Sequence, residues 1–134
     1  MTMKADKIPN GALVVVADGT GARFFRNSGQ DHISLTAEGE LEPTNLLGDG
    51  PSRMRPSESS AKETDEATFA KQLANELYRR AHSGDFGALV LIADPQTLGQ
   101  IRPSLHKEVQ LRLITEIGKT FTNASVADIQ KALT

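Results

Sequence analysis

Cysteine is absent from the 134 residues. Disulfides, a disulfide-linked partner and thiolate metal sites are therefore excluded. Long apolar runs are also missing. Residues 12–17 form the longest such run, far too short to cross a bilayer. Residues 1–11 carry charge but no apolar stretch of signal-peptide length, so the expected location is cytoplasmic, with no membrane insertion. An excess of charge of either sign is lacking too. The net charge of −2 gives no general attraction to nucleic acid or anionic lipid, so such binding needs a local basic patch. The length fits one domain spanning residues 1–134.

What is present reads as alternating strands and helices. Residues 12–17 (Ala-Leu-Val-Val-Val-Ala) are continuous, apolar and rich in β-branched side chains, the pattern of a strand buried on both faces. Asp18-Gly19-Thr20-Gly21 is a turn signature. Residues 22–26 make a second strand with Phe24 and Phe25 adjacent, and 27–30 a second turn. Residues 32–36 alternate polar and apolar as a half-exposed strand does. Together these make an antiparallel meander.

Residues 39–63 are rich in glycine, proline and serine, and read as a long mobile loop. Residues 65–83 carry the clearest helical stripe, with Phe69, Ala70, Leu73, Leu77, Tyr78 and Ala81 on one side. Gly84 is placed to end that helix. Residues 88–93 form a second fully apolar strand. Asp94 then caps a short helix with Pro95 at its first position. Residues 103–112 read as another short helix. Residues 113–121 suit a helix by Ile114, Ile117 and Phe121, and a strand by Gly118 and the threonines. Ser125 caps a last helix with Val126, Ile129 and Leu133 on one face. The expected fold is α/β: a single domain with a mixed sheet, order β-β-β-α-β-α-β-α, and helices on both faces.

The string Val14-Val15-Val16-Ala17-Asp18-Gly19 followed by Ala22-Arg23-Phe24-Phe25-Arg26 resembles the opening hairpin of bacterial host-attachment proteins. Phe69 to Ala74, the segment Leu89 to Pro95 with Leu98-Gly99, Val109 to Thr120 and the closing helix resemble the rest of that family. The family is similar to the middle domain of archaeo-eukaryotic release factors. The resemblance implies a ribonuclease H-like mixed sheet and association with ribosomes or transfer RNA. In release factors a Gly-Gly-Gln loop between the third strand and the long helix carries peptide release. Residues 48–63 hold that place here without Gly-Gly-Gln, and Ser28-Gly29-Gln30 lies in the wrong connection. The family name implies a role in host attachment, which a cytosolic protein would exert indirectly.

Three site readings compete with ordinary structural ones. Asp18 and Asp94 each end an apolar strand and are placed to hold Mg²⁺ for phosphodiester cleavage or phosphoryl transfer; equally, Asp18 is a turn residue and Asp94 a helix cap. Arg53 and Arg55, with Lys71, Arg79 and Arg80 on the long helix, are candidate contacts to RNA phosphates; equally, they are a solvated loop and helix face, diluted by Glu58, Glu63, Asp65 and Glu66. Asp18-Gly19-Thr20-Gly21 matches phosphate-binding hairpins, or is an ordinary turn. His32, His82 and His106 have no metal-ligand spacing, and no nucleophile elbow occurs. The reading that follows is a non-enzymatic binding or regulatory protein needing no cofactor. Its expected partners are ribosomes or RNA, or a protein meeting the loop at 48–63. The alternatives are a Mg²⁺-dependent nuclease and an oligomeric interaction module.

Overall fold

A computed structural model describes residues 8–29, 32–41, 58–121 and 123–133, with residues 58–67 described by backbone only. Two apolar strands, β1 (Leu13–Asp18) and β4 (Leu89–Ala93), form its centre. They lie parallel and in register, Leu13 beside Leu89 through Ala17 beside Ala93. Both are buried on both faces, which is why neither alternates with polar residues. Strand β2 (Gly21–Asn27) turns back antiparallel to β1, β3 (Leu35–Leu41) runs antiparallel to β2, and β5 (Leu113–Ile117) runs parallel to β4. The order β3-β2-β1-β4-β5, with β2 alone reversed, is the ribonuclease H-like mixed sheet expected.

Helices cover both faces. On one, α1 (Glu58–His82), α2 (Pro95–Ile101) and α3 (Lys107–Gln110) pack on Leu13, Val15, Phe24, Leu89 and Leu91. The buried side of α1 is Phe69, Ala70, Leu73, Ala74, Leu77 and Ala81. On the other face, α4 (Val126–Leu133) sets Ile129 and Leu133 on Val14, Val16, Phe25, Val90 and Ile92. The adjacent Phe24 and Phe25 are thus each buried, on opposite faces. Burial of one such side chain contributes about 1.5–3 kcal/mol. Ser125 Oγ accepts from Asp128 N at 3.1 Å and caps α4. Gly84, at φ 80°, ends α1, and Asp85 N donates to the Arg80 carbonyl at 2.8 Å.

Three boundaries differ from the sequence expectation. The third strand is Leu35–Leu41 rather than 32–36. The segment before it is held as a turn by Asn27, whose Oδ1 accepts from Gly29 N and Ser34 N, each at 3.0 Å. Loop 39–63 is shorter than read, since its first three residues finish β3 and residues 58–63 are helical. Glycine and glutamate at an edge give β3 no apolar alternation, and residues 58–64 have no apolar stripe. Their Glu, Ala and Lys are nevertheless good helix formers that extend the packed half of α1. Residues 42–57 lie outside the described residues. The helix placed at 103–112 is a 3-10 turn at Arg102–Ser104 and then α3, separated by extended Leu105, which is buried in the core. Residues 113–117 take the strand option, because the edge of β4 accepts them in parallel register.

A bulge in β3 shapes one edge. Phe24 pairs with Gly39 while Phe25 pairs with Ala37, so Glu38 is the extra residue. The bulge reverses alternation, and Leu35 packs on the α4 side while Leu41 packs on the α1 side. Glu38 thereby meets Arg26, with paired oxygens 3.0 and 3.1 Å from Nε and Nη2. Arg26 Nη2 also reaches Asp85 Oδ2 at 2.8 Å. The hydrogen bonds to Glu38, opposed by burial and helped by Asp85, hold the Arg26 guanidinium above its ordinary value.

Candidate functional site

Strand ends define the first candidate region. The carboxyl ends of β1 and β4 and the start of β2 share one edge of the sheet. In open α/β sheets ligands enter crevices at such ends. A cleft of about 490 Å³ lies there, lined by Asp18, Thr20, Arg23, Glu40, Leu41 and Asn123 among others. By strand alternation Asp18, Arg23 and Glu40 share the α4 side, following Val16 and Phe25. Arg23 Nη1 donates to the Ala124 carbonyl at 2.8 Å, and its guanidinium lies 5.0 Å from the Phe25 ring. The cation therefore ties the link before α4 to β2.

The two aspartates are brought to this edge as the sequence suggested, but each is engaged by its own backbone. Asp18 Oδ1 accepts from Thr20 N at 2.7 Å and Thr20 Oγ1 at 2.8 Å, closing the hairpin turn. Asp94 caps α2, accepting from Thr97 N at 3.1 Å and Thr97 Oγ1 at 2.7 Å, with Pro95 at the first helical position. Asp94 does not line the cleft. Among the described residues, no three acidic, histidine or cysteine side chains come together in a way that would hold a metal ion.

The cationic candidates divide. Arg53 and Arg55 lie outside the described residues. Lys71 and Arg79 are exposed on α1. Arg79 is 72% exposed and pairs with Glu76 at 2.6 Å. Arg80 faces inward. Its guanidinium covers the Phe24 ring at 4.5 Å, its Nε reaches Glu76 at 2.7 Å, and Nη1 lies 3.8 Å from Glu38 and 3.7 Å from Asp85. Burial alone would raise the Glu76 carboxyl, but the hydrogen bonds from Arg80 and Arg79 outweigh it and hold it below the usual carboxylate range.

A family model described as bacterial archaeo-eukaryotic release factor family 12 matches residues 11–133. The chain belongs to this family. No curated protein matches it. In this member of family 12 the connection between β3 and α1, where the resemblance to release factors implies a Gly-Gly-Gln loop, is residues 42–57. Its sequence, Glu42 to Ser57, contains no Gly-Gly-Gln. Ser28 and Gly29 lie between β2 and β3.

One grouping in the family 12 chain has no sequence signal. Tyr78 on α1 stacks on His106, ring centroids 3.9 Å apart and planes 26° apart. His82, one turn after Tyr78, lies 5.6 Å from the same ring. His82 is 71% exposed, with Nδ1 3.6 Å from Glu108 Oε1. Tyr78 and His106 are distant in sequence, so no spacing rule joins them; only the packing of α3 against α1 does. No helix among the described residues is long and apolar enough to cross a membrane.

Proposed function

We propose that this family 12 chain is a non-enzymatic binding module of the cytoplasm, associating with ribosomes or RNA and lacking peptide-release activity. The observation carrying the reading is the β3-to-α1 connection. It occupies the place of the release loop and has Arg53-Met54-Arg55 but no Gly-Gly-Gln. Arg53 and Arg55 act with Lys71 and Arg79 as phosphate contacts, while Arg80 serves the fold. The engagement of Asp18 and Asp94 by their own turns favours binding over Mg²⁺-dependent cleavage. Any effect on host attachment is indirect, through translation.

Co-sedimentation with ribosomes tests this. The wild-type chain should pellet with ribosomes at low salt and be released as salt rises. Arg53→Glu with Arg55→Glu, and separately Lys71→Glu with Arg79→Glu, should weaken pelleting and flatten its salt dependence. Unchanged sedimentation in both double variants would remove the reading, as would hydrolysis of peptidyl-transfer RNA by the wild-type chain.

A second reading, self-association, is favoured by Leu111 and Ile114. They are 79% and 46% exposed beside and within the outer strand β5. An exposed apolar edge is a template for pairing. Sedimentation equilibrium should then show a dimer that Ile114→Lys dissociates; a monomer at every concentration would remove it.

A further inference from the structure

We propose that the Tyr78, His82 and His106 rings form a stacking platform for unpaired bases of single-stranded RNA. The inference rests on the RNA-binding reading above and names the surface where bases, rather than phosphates, are met. Tyr78 is half-buried against the core and His106 lies flat on it at 3.9 Å. The phenol ring is thus fixed from below, and His106 is exposed as the outer member of the stack. His106 precedes α3 with no side-chain capping bond, so helix capping does not account for its position.

A cation adjoins the outer ring. Lys107 follows His106, is exposed, and makes no ion pair among the described residues. The nearby carboxylates are already shared. Glu108 meets His82 and, at 3.5 Å, Arg112; Glu76 meets Arg79 and Arg80. Planar side chains beside cations are what non-sequence-specific single-strand binders use, the rings taking bases and the cations taking phosphates. Bases in a duplex are not free to add to the stack. The occupant is therefore single-stranded, its base lying on His106 and a neighbouring phosphate at Lys107.

The chain has one tyrosine, no tryptophan and three histidines, so its own signals report the site. The probe is a fluorescein-labelled single-stranded oligoadenylate, with its duplex as control. Anisotropy reads binding anywhere on the protein. Tyr78 emission and the His106 ring resonance read contact at the platform, with His32 as internal reference. Single-stranded probe should quench Tyr78 and shift His106 but not His32, and duplex should do neither. His106→Ala and Lys107→Glu should each weaken binding about tenfold, and His106→Phe should restore it. The unfolding midpoints of His106→Phe, which keeps the stack on Tyr78, and of Lys107→Glu, at an exposed position, should match wild type. Binding by anisotropy with Tyr78 and His106 unmoved would overturn the platform and leave the RNA reading standing. No binding at all would overturn both.

Discussion

Asp18 and Asp94 leave neighbouring parallel strands at the same level, each one residue beyond the paired Ala17 and Ala93. Their carboxylates nonetheless turn to separate local tasks, a hairpin turn and a helix cap. The Mg²⁺-dependent chemistry expected of such a pair needs carboxylates aimed at a common point. Adjacency of strand ends places the residues; the bonds to Thr20 and Thr97 decide where the oxygens point.

Thr97 makes the Asp94 cap testable. Its hydroxyl is buried and donates to Asp94 Oδ1. Asp94→Ala removes the cap and leaves that hydroxyl without its acceptor, so a loss of about 2 kcal/mol is expected in urea unfolding. Asp94→Asn keeps an acceptor oxygen and should cost less. Adding Thr97→Val to Asp94→Ala should return part of the loss, because the orphaned hydroxyl is then gone. Equal stability of Asp94→Ala and wild type would show that α2 needs no cap.

Asn27 anchors the turn before β3. The side chain is 1% exposed. Its Nδ2 donates to the carbonyls of Ile8 at 2.8 Å and Pro9 at 3.1 Å, while Oδ1 accepts from Gly29 and Ser34. All four bonding positions of the amide are used. Asn27→Ala should destabilise by about 3 kcal/mol, since four hydrogen bonds made by a buried amide are lost together. Asn27→Asp should be at least as costly at neutral pH, because a carboxylate cannot donate to Ile8 and Pro9. Amide exchange at Ser34 should quicken in both variants.

The parts of this fold that were legible in sequence are those where one physical demand acts alone. Strands β1 and β4 are buried on both faces, so their composition announces them. The stripe from Phe69 to Ala81 meets one core and keeps one period. Asp94-Pro95 and Ser125 carry their capping chemistry in the residues themselves. Residues 32–36 imitate the alternation of a half-exposed strand, while β3 itself is an edge with a bulge at Glu38 and shows none. Arg80 looked like Arg79 in sequence, yet a turn of about 100° per residue sends one guanidinium to Phe24 and the other to solvent. The ring cluster was invisible because it joins two elements, and a pairwise contact across the fold leaves no local pattern.

Glu76 gives a pH dependence with a definite sign. Its folded carboxyl lies below the usual carboxylate range. A depressed acid contributes stability that is fully present above its unfolded value and is lost as pH falls through the folded one. Wild-type stability should therefore drop on acidification below the ordinary carboxylate value. Glu76→Gln should be less stable at neutral pH and show a shallower acid limb. Parallel acid limbs for the two proteins would mean that the Arg79 and Arg80 bonds give Glu76 no net preference for its ionised form.

Gly39 sets the bulge that aims Glu38 at Arg26 and Arg80. Its φ of 143° lies where side chains are disfavoured, yet nothing stands within 4 Å of where a Cβ would be. The cost of Gly39→Ala is thus one of backbone conformation alone, about 1 kcal/mol or more. The native conformation is strained by alanine, so its smaller unfolded-state entropy does not compensate. Relief by flattening the bulge would return β3 to strict alternation and turn Glu38 away from Arg26. The expected result is a lower urea midpoint with an unchanged denaturant slope. Glu38→Gln, which keeps the bulge but loses the charge, should also lower the midpoint. If geometry and charge act through the same contact, the double variant should lose less than the sum of the two single losses.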